Sequence, residues 1–176
     1  MGPNGSGKST LLRICAGLLA ADSGTLALNG KNAGEDSADL HPLHHYVGHK
    51  DGLKSALTIQ ENLEVWASLL GGTTMPDAFD AALEKFNLAR LQDTPVHYLS
   101  AGQRRRAALA RLVLIQRPIW LLDEPLNGLD AKHIAVIENA LSEHVGAGGL
   151  ALVATHQLLD LQDADCSVLT LGQSRS

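Results

Sequence analysis

Glycines at positions 2, 5 and 7, followed by Lys8, Ser9 and Thr10, form a spacing that can hold a polyphosphate. Residues 2–9, Gly-Pro-Asn-Gly-Ser-Gly-Lys-Ser, satisfy the pattern G-x-x-x-x-G-K-[ST]. Small residues let successive backbone N–H groups curl around an anion, and a lysine at this position reaches its outer oxygens. The Ser9 hydroxyl is placed for Mg²⁺, and a helix starting there turns its positive end toward the same anion. The expected nucleotide contacts are Gly2, Asn4, Gly5, Ser6, Gly7, Lys8, Ser9 and Thr10. A second constellation closes the apolar run 118–122 with Asp123-Glu124. There Asp123 can organise Mg²⁺ through its water shell, and Glu124 can polarise an attacking water as general base.

These groups need a scaffold, and hydrophobic periodicity predicts one. Apolar spacing gives a helix over residues 10–20 stopped by Asp22-Ser23-Gly24, then a strand over 25–28 closed by Asn29-Gly30. Residues 31–45, polar and histidine-rich, read as loop. Thr58 with Glu61 makes a capping box for a helix to about Leu70, ended by Gly71-Gly72. Met75-Pro76-Asp77 opens a helix to about Leu91, and Ser100 with Gln103 caps another to about Gln116. Residues 118–122 and 150–155 read as buried strands flanking a helix that follows Asp130, and 167–171 as a last strand. Strands alternating with helices imply a parallel α/β sheet, and the helical stretch reads as an insertion. Residues 1–49 and 116–176 would form the α/β core of a single domain, with 50–115 as the helical subdomain.

Composition excludes other classes. In 176 residues, 45% hydrophobic and 19% charged usage is ordinary for a globular chain and excludes wholesale disorder. A net charge of −5 disfavours nucleic acid as a general partner. No apolar run reaches the roughly 18 residues of a membrane span, so a membrane role requires a separate partner. Cys15 and Cys166, both in apolar surroundings, read as core residues of a cytoplasmic protein rather than a disulfide.

Leu99-Ser100-Ala101-Gly102-Gln103 resembles the signature sequence of ATP-binding cassette (ABC) proteins, commonly Leu-Ser-Gly-Gly-Gln. The remaining family elements follow in order: Asn127-Gly128-Leu129-Asp130 looks like the D-loop, and His156, after strand 150–155, like the switch histidine. The resemblance implies a P-loop NTPase fold of the ABC type with bound ATP and Mg²⁺. It assigns catalysis to Glu124 and His156, and Mg²⁺ to Ser9 and Asp123. It places Ser100, Gly102 and Gln103 against the nucleotide of a second copy, with Asp130 at the seam of the homodimer. Val47-Gly48-His49-Lys50-Asp51-Gly52-Leu53-Lys54, Ala101, Arg104-Arg105-Arg106 and His156-Gln157 further resemble the ATP-binding subunit of the haem exporter used in cytochrome c maturation. That likeness implies a peripheral subunit on the cytoplasmic face of the bacterial inner membrane. It would dock on transmembrane permease subunits, and the complex rather than this chain would handle haem.

Two departures stand out. The family usually has a Mg²⁺-sensing glutamine where this sequence aligns Lys50, whose ammonium is then expected on phosphate or in solvent. Family members also carry strands and an adenine-stacking aromatic before the phosphate loop, whereas here only Met1 precedes it. The expectation is an N-terminally truncated domain that binds ATP poorly or folds incompletely alone. Another exporter's ATPase and a non-catalytic remnant are the alternatives. DNA-repair relatives would need heptad coiled coils and translation relatives two motif sets, and neither is present. His41, His44, His45 and His49 lack ligand spacing and read as solvent-facing loop residues rather than a metal or haem site. Arg104–Arg106 reads as a partly solvated helix face.

Overall fold

The computed structural model describes residues 6–28, 30–32, 41–71, 76–161 and 165–171. Helix α1 spans Lys8–Cys15. A small antiparallel hairpin pairs β1 (Ala27–Leu28) with β2 (Lys31–Asn32). Strand β3 (His44–Val47) precedes three helices, α2 (Ile59–Leu70), α3 (Pro76–Lys85) and α4 (Ala101–Leu114). Strand β4 (Ile119–Asp123), helix α5 (Ala131–Gly146) and strand β5 (Leu150–Ala154) complete the order.

The main sheet runs β3-β4-β5, all parallel, with Val47 opposite Leu122 and Asp123 opposite Ala154. Alternation along β4 sends its side chains to two faces, because successive residues of a strand point oppositely. Trp120 and Leu122 join the larger core with Ile137 and Leu141 of α5, while Leu121 packs with Leu12 and Ala16 at α1. The sheet is therefore covered by α1 on one side and α5 on the other, which buries it on both faces as a parallel sheet requires.

The capping boxes form as their spacing dictates. Thr58 Oγ1 accepts from Glu61 N at 3.1 Å and Glu61 Oε2 from Thr58 N at 2.7 Å. Ser100 and Gln103 reciprocate in the same way at 3.2 and 2.8 Å.

Several expectations are corrected. The first helix runs over 8–15 rather than 10–20: Gly17 adopts φ 66, Leu18 N–H donates to Arg13 O and Gly17 N–H to Ile14 O. This closing motif satisfies the last carbonyls before Leu18 and Leu19 can extend the helix. Residues 31–45 are not all loop. β2 lies there, and β3 takes in His44 and His45, whose alternation with Tyr46 and Val47 supplies a half-polar, half-buried strand. The helix expected to reach Leu91 ends at Lys85, because Asn87 turns left-handed at φ 55, and residues 89–91 form a short 3₁₀ turn. Residues 167–171 form no strand: Val168 and Leu169 are largely exposed, and an apolar run without a burying face gains little from extended pairing. Cys166 is accordingly exposed rather than in the core, while Cys15 is half-buried.

The arginine run is also not a solvated face. Arg105 and Arg106 are 5% and 7% exposed, and Arg106 Nη1 donates to Phe86 O and Asn87 O. Arg111, buried on the same helix, lies 4.2 Å over the Trp66 ring and donates to Tyr46 O. A planar guanidinium can enter a core where loop carbonyls converge on it. Among the described residues, no helix is long and apolar enough to cross a membrane.

Candidate functional site

Parallel strands bring their carboxyl ends to one edge, and ligands of such sheets bind outside that edge. Here three neighbouring strand ends deliver His49 (after β3), Glu124 (after β4) and His156 (after β5). The N-terminus of α1 lies at the same edge. The resulting cleft, about 370 Å³, is lined by Gly7, Lys8, Ser9, Thr10, His49, Glu124, Asn127 and His156.

Gly7 holds φ 92 as the residue before α1, a left-handed turn that suits glycine. Ser6 Oγ beside it is buried and has no hydrogen-bond partner among the described residues. A buried hydroxyl left unpaired costs free energy unless an incoming acceptor satisfies it, and a phosphate oxygen would do so. Gly2, Asn4 and Gly5 lie outside the described residues.

Glu124 is the other pole. Its backbone is left-handed at φ 49, a conformation that costs a non-glycine residue on the order of 1–3 kcal/mol and persists where surroundings fix it. Its N–H donates to Ala154 O at 2.7 Å, extending the β4–β5 ladder by one residue past Asp123. Its Oε1 lies 2.9 Å from His156 Nε2, with the Glu124 side chain 12% and His156 47% exposed. A sheltered carboxylate can accept a proton on its second oxygen, and the ring beside it can donate Nε2–H to that carboxylate or, released from it, to an anion in the cleft.

Asp123 is buried at the end of β4. It does not line the cleft, whereas Ser9 does, and both side chains offer only oxygen donors, the type Mg²⁺ takes. Mg²⁺ needs only one or two protein ligands, because phosphate and water complete its shell. No group of three or more His, Cys, Asp or Glu among the described residues could hold an ion by itself.

The signature segment stands apart from this cleft. Ser100 is exposed at the start of α4, with Gly102 and Gln103 half-buried behind it, and none of the three lines the cleft. Asp130 caps α5, accepting from His133 N at 3.0 Å and contacting His133 Nδ1 at 2.7 Å. The hydrogen bond from the His133 backbone holds its carboxyl below the usual range. The helix start is pinned within the chain: a Cβ on Gly102 would sit 2.8 Å from Gly128 O. Gly102→Ala must therefore push α4 from the 127–130 turn. The expected cost is about 1–3 kcal/mol, seen as a melting temperature lower by roughly 2–10 °C.

Three residues take places at the cleft that the sequence reading did not give them. Asn127 lines the cleft, and so does His49, whereas Lys50, exposed beside it, does not. The cleft position after β3 thus belongs to His49, and Lys50 takes the solvent alternative. Recognising β3 would have shown this, because the residues just past a parallel strand face the ligand edge. The third is Arg105, whose buried guanidinium underlies the Glu124 turn. The four histidines do not share one face. His45 is buried in β3, where its Nε2 lies 2.6 Å from Ile115 O, while His41 is exposed and His49 lines the cleft.

The family described as "ABC transporter" matches residues 1–127. A relative from Paramagnetospirillum magneticum, "Cytochrome c biogenesis ATP-binding export protein CcmA", is 47% identical over 166 residues, covering 93% of this chain and 76% of that protein. A protein of the same name from Paracoccus denitrificans is 47% identical over 175 residues, covering 99% of this chain and 75% of the relative. Among solved structures, the ATP-binding cassette MJ0796, a dimer in a post-hydrolysis state bound to ADP and Pi, superposes with a TM-score of 0.78. It is 28% identical, and the match covers 89% of this chain and 73% of that one.

Proposed function

The chain belongs to the ABC transporter ATPase family, and we propose that it is the ATP-hydrolysing subunit of an exporter serving cytochrome c biogenesis. The observation that carries this reading is the single cleft gathering Gly7–Thr10, Glu124 and His156 at the carboxyl edge of the sheet. In it Lys8 and the backbone N–H groups at the start of α1 hold the phosphates of ATP. The Ser6 hydroxyl is a further donor, Thr10 lines the same cradle, and the sequence motif extends the nucleotide contacts to Gly2, Asn4 and Gly5. Ser9 and Asp123 hold Mg²⁺, which supplies charge neutralisation on the phosphates when bound. Glu124 takes a proton from the attacking water, and His156 donates to the terminal phosphate.

Two copies complete the site. Ser100, Gly102 and Gln103, exposed or half-buried at the start of α4, meet the nucleotide of the partner copy, and Asp130 lies near the seam. The helical segment 50–115 forms the subdomain facing transmembrane permease subunits. The chain sits on the cytoplasmic face of the inner membrane, and haem is handled by the complex. The likeness to the CcmA relatives supports this assignment.

The test is co-purification of the full chain with a multispanning membrane protein, followed by ATPase assay of that complex. Ser100→Arg is expected to lower hydrolysis about 10- to 100-fold, the value of a charge-assisted hydrogen bond replaced by bulk, while each protomer stays folded. Wild-type hydrolysis by the Ser100→Arg complex would overturn the two-copy site. A chain that captures no membrane protein would overturn the exporter assignment.

A further inference from the structure

Arg105 lies on α4, just past the signature segment, and its guanidinium is spent entirely on two loops, the turn that carries Glu124 and the 48–51 loop beside His49. Nη2 donates to Asp123 O at 2.7 Å and Glu124 O at 3.0 Å, and Nε to Pro125 O at 3.3 Å. Nη1 donates to Gly48 O at 2.9 Å and to Asp51 Oδ1 at 3.1 Å. Five N–H groups thus meet five acceptors, the full capacity of the side chain. Three of those acceptors are the consecutive carbonyls of the turn in which Glu124 is held left-handed. The other two flank His49, which lines the same cleft.

We propose that Arg105 is a positioning residue for hydrolysis, fixing the Glu124 carboxylate and linking its turn mechanically to the 48–51 loop and to α4. This rests on the reading of Glu124 as general base. The physical reasoning is local. A left-handed turn at a glutamate relaxes unless its carbonyls are pinned, and relaxation swings the carboxylate. A misplacement of about 1 Å at a reacting group costs on the order of 10²-fold in rate. The same guanidinium holds the 48–51 loop through Gly48 and Asp51, so displacement of that loop pulls on the turn. Asp51 does not line the cleft, so it reaches the chemistry through such a link rather than by contact with the nucleotide. A lysine keeps the charge but has three donors on one atom and cannot span both loops.

The experiment measures kcat and KM for MgATP hydrolysis, with melting temperature, for the full chain and four variants: Arg105→Lys, Asp51→Asn, the double variant and Glu124→Gln. Arg105→Lys is expected to lower kcat about 10-fold or more with KM within about 2-fold. Asp51→Asn is expected to lower kcat about 3-fold or more, with no further loss when added to Arg105→Lys, because both act through one link. If Arg105→Lys fails to fold, Asp51→Asn decides alone: lowered kcat at unchanged KM and melting temperature supports the link, and unchanged kcat overturns it. Wild-type kcat in Arg105→Lys, with Glu124→Gln inactive, overturns the positioning role while leaving the general base in place. Hydrolysis retained in Glu124→Gln overturns both.

Discussion

Glu124→Gln lowers kcat for ATP hydrolysis by about 10²–10⁴-fold, the usual worth of a general base, while ATP binding changes less than a few-fold. The substitution removes a proton acceptor and little else. The backbone N–H of residue 124 keeps its bond to Ala154 O and the carbonyl keeps Arg105, neither of which involves the side chain. A glutamine Oε1 in the same place still accepts from His156 Nε2, so the pair across the cleft is preserved. The phosphate cradle of Gly7–Thr10 lies on α1, a different element, and gains or loses no contact. Binding is read by titration with a fluorescent ATP analogue and chemistry by phosphate release. A variant retaining more than a tenth of wild-type turnover would remove Glu124 from the chemical step. A variant that loses binding with turnover would instead make Glu124 part of the cradle.

Much of this site was legible because its chemistry lies in contiguous residues next to strongly patterned elements. The Gly7–Thr10 stretch and Glu124 are fixed by short-range spacing, and the apolar run before Asp123 makes β4 unmistakable as a parallel strand. Thr58, Ser100 and Asp130 announce their helices because a cap is a local hydrogen bond. What escaped depends on acceptors far along the chain. His45 is buried because Ile115 O, 70 residues away, accepts from its ring. Arg105 is buried because the carbonyls of residues 123–125 and Gly48 converge on it. A histidine pair in a polar stretch looks like loop, and three arginines look like a wet face, until those acceptors are in place. Missing β3 also hid the place of His49 at the cleft, since residues just past a parallel strand face the ligand edge.

The burial of His45 makes stability depend on pH, with an expected loss of about 3 kcal/mol between neutral and pH 4. The ring is 2% exposed, and burial pushes its pKa from the ordinary 6.5 down to about 4. The bond to Ile115 opposes that shift, whereas the positive charges of Arg111, Arg117 and His44 reinforce it. Between the two values the unfolded chain binds a proton that the folded chain refuses, so stability rises with pH there. It is complete above about pH 6.5 and lost as pH falls toward about 4. His144, whose ring stacks on Trp120 at 4.0 Å, is also lowered by burial and adds in the same direction. Denaturant unfolding at pH 7.5 and 4.5 therefore needs His45→Gln beside the wild type. Glutamine can still donate to Ile115 O but does not titrate, while His144 and the carboxylates contribute equally to both proteins. The wild type is expected to lose about 2–3 kcal/mol more than His45→Gln across that interval. Parallel losses in the two proteins would mean that protonated His45 is tolerated in the fold, through water entry or a local opening of β3 at the Ile115 contact.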